Sequence, residues 1–223
     1  MKHSMMMRRL ALLVCATAAV AGGLTACVPL VMGGAAAGTA LVVTDRRTSG
    51  AQLEDEGIEL RAASRIRSNL GTRVRVSVTS YNRQVLLTGE VPNAQDKQLV
   101  EQVVSRVENV VSVVNELAVL DSPSLMERSS DLLVTGRVKA MLVDARDLQA
   151  NAFKVVTERG TIYLMGRVTQ RESDRATEMV RATPGVQKVV RLLEIISEEE
   201  LARIRVGAAS AQPQPAAAKP SSN

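Results

Sequence analysis

The chain has 223 residues, with 46% hydrophobic and 23% charged residues, which is the composition of a folded protein. Its formal charge of +5 falls to +2 without the three basic residues of the first 26 positions, which also hold the single histidine. Only one cysteine, Cys27, follows that segment. Histidine-based acid–base catalysis, Cys–His nucleophiles, Cys/His zinc sites and an internal disulfide are therefore excluded.

Residues 1–26 have the layout of a lipoprotein signal peptide. A basic start with Lys2, Arg8 and Arg9 precedes an apolar stretch, and Leu-Thr-Ala-Cys at 24–27 has the form of a bacterial lipobox. We predict cleavage before Cys27 and lipidation of that cysteine. The alternative is an ordinary secretory signal followed by an incidental cysteine. Val28 follows the cysteine where an inner-membrane retention signal favours aspartate, and this implies the outer membrane.

Residues 27–53 are predicted to be a tether. Positions 28–43 are apolar and rich in small residues, but sixteen residues are fewer than the roughly twenty that a spanning helix needs. A segment near the membrane surface is favoured over a transmembrane helix. Residues 45–50 are interpreted as linker.

An internal repeat organises the remainder of the chain. Val-Leu-Leu-Thr-Gly-Glu-Val starts at 85 and returns as Ile-Tyr-Leu-Met-Gly-Arg-Val at 162, which is 77 residues later. In the first unit, 54–120, periodicity predicts a helix containing Ala62 and Ile66, strands at 74–78 and 85–91, a second helix capped by Asn93, and a strand at 110–119.

The second unit, 121–196, repeats this order of elements. Its first helix contains Val134, Val138 and Leu142, and strands follow at 153–157 and 162–168. Thr169 and Glu172 form a capping-box pattern before the second helix, and 186–196 is the last strand. A longer helix end or loop is expected at 143–151. Residues 197–223 are predicted to be a short helical extension followed by a disordered tail.

The paired units, their Gly-containing strand ends and the Pro-Gly-Val-Gln-Lys-Val-Val segment at 184–190 resemble BON domains (bacterial OsmY and nodulation). The implied fold class is α/β (α+β), with two tandem α-β-β-α-β units whose helices pack on a small three-stranded sheet. With the lipobox, the resemblance is to dual-BON outer-membrane lipoproteins that face the periplasm. It implies binding of anionic phospholipid through the second BON domain and support of outer-membrane integrity.

No catalytic pattern emerges from the residues, and we expect no enzyme activity, cofactor, metal or small-molecule substrate. Gly89 and Gly166 lack the spacing of phosphate-binding loops and are interpreted as sites of close backbone packing. The acidic pairs Asp144/Asp147 and Asp174/Glu178 are interleaved with arginines, which is typical of a solvated surface. Glu198–Glu200 is interpreted as a solvated helix start. Nucleic-acid binding is disfavoured by the small charge and the scarcity of aromatic residues.

The first helix of the second unit is the candidate lipid-binding site. Leu133, Ala140 and Met141 fall within roughly 80° on a helical projection and make this helix more apolar than its counterpart. Arg137, Lys139 and Arg128 lie close by in sequence. The second unit carries a net +2 (twelve basic, ten acidic residues) and the first a net −1 (eight basic, nine acidic).

Two interpretations of this face remain open. It either packs against the first unit or the 143–151 segment, or it inserts at an anionic membrane surface. The predicted partner is an anionic phospholipid membrane. The alternative function is that of a periplasmic adaptor that docks on envelope-assembly machinery or the cell wall.

Overall fold

The computed structural model describes residues 45–120 and 125–210, and the predictions for the signal peptide, for Cys27, for the tether up to residue 44 and for the tail beyond 210 fall outside these ranges. Residues from Leu41 onward belong to one compact unit that contains both repeats. No helix in the described ranges is long and apolar enough to cross a membrane.

The first domain has the predicted element order. Its elements are helix α1 (Ser49–Leu70), strands β1 (Arg75–Tyr81) and β2 (Gln84–Val91), helix α2 (Ala94–Ser105), and strands β3 (Ser112–Asn115) and β4 (Ala118–Val119). Strand β1 pairs antiparallel with β2, and both β3 and β4 pair parallel with β2. The single strand predicted at 110–119 is wrong. The Asn115 side chain accepts a hydrogen bond from Leu117 N–H and donates to the Lys97 carbonyl, and the strand is interrupted there.

The second domain repeats this order with an uninterrupted last strand. Its elements are helix α3 (Leu125–Asp144), a 3₁₀ turn (Ala150–Ala152), strands β5 (Phe153–Glu158) and β6 (Thr161–Val168), helix α4 (Gln170–Arg181) and strand β7 (Lys188–Ile195). Strand β5 is antiparallel to β6, and β7 is parallel to it. Helix α5 (Glu198–Ser210) is the predicted extension, and it is longer than expected.

Local sequence signals position these elements. Asn93 accepts from Asp96 N–H at the start of α2, and Thr169 and Glu172 form the predicted capping box of α4. At Gly89 and Gly166 an added Cβ would collide with the backbone carbonyls of Arg75 and Ala152. This confirms that both glycines permit close backbone approach.

Each hairpin turn is held by an aspartate of the preceding helix. Asn82 and Arg83 have positive φ, as do Arg159 and Gly160, which is the pattern of a two-residue type I′ turn. Asp55 accepts from the N–H groups of the first turn at 2.7 and 2.8 Å, and Asp131 accepts from those of the second at 2.7 and 2.9 Å.

Three apolar clusters form the core. Two lie between the helices and the sheet of each domain and contain Ile58, Val85 and Leu87 in the first, and Val138, Ile162 and Leu164 in the second. The third joins the opposite faces of the two sheets, with the buried side chains Tyr81, Leu86, Tyr163 and Met165 at its centre. Strands β2 and β6 are therefore buried on both faces, and the two domains share an apolar interface.

Polar contacts surround this shared interface. Arg75 pairs with Glu158 at 2.9 Å, and Lys154 pairs with Glu59 at 2.9 Å. The Tyr81 hydroxyl accepts a hydrogen bond from Arg167 N–H at 3.3 Å. Burial raises the pKa of Tyr81 to about 12, so this phenol is protonated at neutral pH.

The segment predicted to be a linker, 45–50, is docked onto both domains. Arg46 donates to the two carboxylate oxygens of Glu172 in the second domain at 2.7 Å each, and both side chains are buried. Arg47 pairs with Asp55 at 2.7 Å and lies over the ring of Tyr81 in the first domain. Ser49 and Gly50 already belong to α1, so the linker prediction is wrong for the second half of this segment.

Candidate functional site

One face of helix α3 is apolar and exposed to solvent. The exposed fractions are 74% for Leu132, 63% for Leu133 and 70% for Val143. Gly136 and Ala140 lie between them and are also exposed. At roughly 100° per residue these five positions cover about 100° of the helix, opposite the buried Val134, Val138 and Leu142. We call Leu132, Leu133, Gly136, Ala140 and Val143 the α3 outer face.

Basic side chains flank the α3 outer face on both sides. Lys139 is exposed on one flank and Arg137 on the other. Arg137 donates to the Pro184 carbonyl at 3.2 Å, which places its guanidinium at the end of α4. Arg128 falls within α3, but its side chain lies outside the described residues. The face therefore combines exposed apolar area with nearby positive charge.

Met141 differs from the other residues predicted for this site. It is half-buried and packs against the core of the second domain. Its sulfur accepts a hydrogen bond from the Thr183 hydroxyl at 3.3 Å. Met141 therefore lies at the edge of the α3 outer face and not within it. The structure adds Leu132 and Val143, whose three- and four-residue spacing through Gly136 and Ala140 was visible in the sequence.

Structural equivalence corrects the alignment of the first helices. Arg61 and Arg137 donate to the carbonyls of Glu108 and Pro184, and Asp55 and Asp131 hold the two hairpin turns. Each of these pairs is 76 residues apart, whereas the sequence comparison used a spacing of 72. The periodic apolar pattern of a helix fits equally well when it is shifted by one turn of about four residues, and this explains the error.

The corrected alignment separates the two domains more clearly. Leu132, Leu133 and Val143 correspond to Glu56, Gly57 and Arg67 in α1, and Ala140 corresponds to Ser64. Only Gly136 is replaced by a larger apolar residue, the exposed Leu60. The apolar outer face is therefore a property of the second domain. It does not pack on the first domain, because the helix and strand that α3 contacts are α4 and β5.

The predicted polar surface groups lie at other positions. Asp147 pairs with Arg175 at 3.1 Å, and Asp174 pairs with Arg191 at 3.2 Å, with both pairs half-exposed. Glu200 pairs with Arg167 at 2.7 Å. Within residues 45–120 and 125–210, no cluster of acidic, histidine or cysteine side chains could hold a metal ion.

Comparison with known proteins agrees with this architecture. The BON domain family matches twice, at residues 55–121 and 130–197. The chain is similar to the outer membrane lipoprotein DolP of Haemophilus influenzae, with 36% identity over 193 residues that cover 85% of this chain and 97% of that protein.

Two further relatives share less of their length. The 21 kDa hemolysin of Actinobacillus pleuropneumoniae is 29% identical over 154 residues, which cover 68% of this chain and 79% of the hemolysin. The osmotically-inducible protein Y of Escherichia coli is 32% identical over 117 residues, which cover 51% of this chain and 58% of that protein. Because the family model matches both repeats and the DolP similarity spans nearly the whole relative, the chain belongs to the BON domain family and is a dual-BON outer-membrane lipoprotein.

Proposed function

We propose that this protein binds anionic phospholipid membranes through the α3 outer face and thereby supports the integrity of the outer membrane from the periplasmic side. The observation that carries the proposal is an exposed apolar face flanked by Lys139 and Arg137 in the second domain, at positions where the first domain has polar and charged residues. Apolar residues on one helix face with cations beside them are typical of helices that lie in a membrane interface.

The available apolar area is sufficient for reversible binding. A large apolar side chain contributes about 1.5–3 kcal/mol when it is fully removed from water. Leu132, Leu133 and Val143 are 74%, 63% and 70% exposed, so the three together offer about 3–6 kcal/mol. Each flanking cation adds about 1 kcal/mol at an anionic surface. Part of this sum is lost to the entropy cost of association, so the face acts as a weak contact.

Permanent attachment is assigned to Cys27. A single acyl chain gives marginal membrane binding, whereas several chains on one residue hold a protein essentially irreversibly. The α3 outer face therefore contributes orientation and lipid selectivity to a protein that is already at the membrane.

A fragment of residues 41–223 tests the face without the anchor, since these residues form one compact unit. We expect the fragment to co-sediment with vesicles of phosphatidylglycerol and phosphatidylcholine, and far less with phosphatidylcholine alone. Leu133→Asp should weaken the binding at least tenfold, because it removes apolar area and places a carboxylate beside anionic headgroups.

Leu60→Asp in the first domain is the matched control. Leu60 is also an exposed helical leucine, at 73%, and the substitution makes the same change in charge. Arg61 is less suitable because it pairs with Glu54 and donates to the Glu108 carbonyl. Equal loss of binding in the two leucine variants, or loss in neither, would contradict the proposal. A specific protein partner retained by Leu133→Asp, without vesicle binding by the unmodified fragment, would favour the adaptor function instead.

A further inference from the structure

A groove lies between α3 and α4 next to the α3 outer face. Its volume is about 570 Å³, and Ala140 of the outer face lines its rim. Met141 and Met179, both half-buried, line it as well. Unbranched, polarisable methionine side chains adapt to the shape of a flexible apolar ligand. The apolar surface of α3 is therefore continuous with the interior of this groove.

Three arginines line the same groove. Arg137 and Arg175 are each held by one contact, to the Pro184 carbonyl and to Asp147 respectively, and keep further N–H groups available. Arg146 is exposed and has no hydrogen-bond or ion-pair partner among the described residues. A guanidinium presents its N–H donors in a planar fork that matches the oxygens of a phosphate group.

Two carboxylates oppose this positive charge only in part. Asp147 is neutralised by Arg175 at 3.1 Å. Asp144 also lines the groove, and it lies one helical turn from Ala140. Three arginines and two aspartates leave a net charge of +1, with Arg146 as the cation that no carboxylate pairs.

The first domain has no equivalent groove chemistry. At the 76-residue spacing, Arg65 takes the place of Met141 and donates to the Arg106 carbonyl, which closes that position. Leu99 and Val103 correspond to Arg175 and Met179, and both pack against the core of the first domain. The combination of methionines and arginines thus occurs in the domain that also carries the apolar face.

We infer that the α3–α4 groove binds the phosphate headgroup of a single anionic phospholipid, with Arg146 and Arg175 holding the phosphate oxygens and Arg137 closing the site from the α3 side. The acyl chain leaves the groove past Ala140 and lies along the α3 outer face near Leu133. This inference rests on the proposed function. It differs from general attraction to a charged surface because it assigns a defined site to one lipid.

Vesicle binding by the 41–223 fragment tests the arginine assignment. On vesicles of phosphatidylglycerol and phosphatidylcholine, Arg146→Gln should bind about fivefold more weakly than the unmodified fragment. Arg205→Gln is the matched control, because Arg205 is exposed on α5, does not line the groove and undergoes the same change in charge. Its binding should stay within about twofold of the unmodified fragment. Asp144→Asn should strengthen binding.

Methionine methyl NMR locates the ligand directly. Monomeric dihexanoylphosphatidylglycerol should shift the signals of Met141 and Met179, while Met165, fully buried between the domains, serves as the internal control. Inorganic phosphate at equal concentration should leave Met141 and Met179 unchanged. If phosphate reproduces the shifts, the site takes a free anion and the lipid assignment is overturned.

The remaining outcomes separate the two proposals. If the unmodified fragment does not sediment with anionic vesicles, the proposed function fails, and this inference fails with it. If it sediments and loses binding with Leu133→Asp, but Arg146→Gln and Arg205→Gln behave alike, the face stands and the groove is overturned.

Discussion

Replacing Glu172 by Gln tests whether the segment before α1 is anchored in the second domain. Arg46 is 4% exposed and Glu172 is 1% exposed, and the two side chains form a bidentate pair at 2.7 Å. Arg46 also donates to the Arg167 carbonyl at 2.9 Å. Burial alone would raise the pKa of Glu172, but the hydrogen bonds from Arg46 and from Thr169 N–H hold it below its usual value. The carboxylate is therefore ionised at neutral pH, and glutamine removes its charge with little change in shape.

The expected destabilisation is large for a single substitution. Glutamine leaves the Arg46 guanidinium buried without a counter-charge, and breaking a buried pair from one side costs about 3–5 kcal/mol. Burial of both partners means that solvent does not screen this effect. For a protein of this size a loss of 1 kcal/mol lowers the melting temperature by about 2–4 °C, so we expect a decrease of roughly 6–20 °C.

Urea denaturation of the 41–223 fragment measures the free energy of unfolding directly. Arg46→Met combined with Glu172→Gln should recover much of the loss, because an apolar side chain in place of the buried cation removes the unpaired charge. Asp174→Asn is the control, since its pair with Arg191 is half-exposed and should be worth less than about 1 kcal/mol.

Two results would refute this reasoning. If Glu172→Gln unfolds within about 1 kcal/mol of the unmodified fragment, the Arg46 segment does not rely on the pair for docking. If the double variant loses as much stability as the sum of the single variants, the two side chains act independently and the pair is not the source of the effect.

Three further predictions address the anchor, the sheet and the acid stability. Cys27→Ser should move the protein from the membrane fraction to the soluble periplasmic fraction, and unchanged fractionation would contradict the anchor. Gly166→Ala should lower the melting temperature because the new methyl group meets the Ala152 carbonyl, whereas Gly136→Ala on α3 has open space and should stabilise by up to about 1 kcal/mol. Equal effects of the two alanines would rule out the steric argument. Burial alone would raise the pKa of Asp55, but hydrogen bonds from Ser80, from backbone N–H groups and from Arg47 lower it overall. Its contribution to stability is therefore complete above about pH 4 and is lost as the pH falls through the lower folded-state pKa. Asp55→Asn should flatten the acid side of a plot of melting temperature against pH, and an unchanged slope would contradict the role of this carboxylate.

Patterns that depend on a few neighbouring residues were readable from the sequence. The capping box at Thr169 and Glu172, the N-cap at Asn93 and the close backbone approach at Gly89 and Gly166 follow from local geometry, and the structure confirms them. The repeat was visible because each strand β2 and β6 must alternate between a core face and an interface face.

The candidate site was only partly visible for the same physical reason. Leu133, Arg137 and Lys139 were correctly predicted to share the surface of one helix, but sequence periodicity could not tell which apolar side chains turn inward. Met141 packs on the domain core, whereas Leu132 and Val143 are exposed. Periodicity also left the register of the two first helices ambiguous by one turn.

Contacts between residues far apart in the chain were decided by the tertiary structure alone. Nothing near Arg46 indicates a partner 126 residues away, yet Glu172 neutralises it in a buried site. The apolar face shared by the two sheets and the groove between α3 and α4 likewise bring together side chains from separate elements. The sequence by itself therefore determined the elements, their order and their repetition, because short-range sterics and hydrogen bonds specify these. Which faces became buried, paired or exposed was determined by the packing of the two domains.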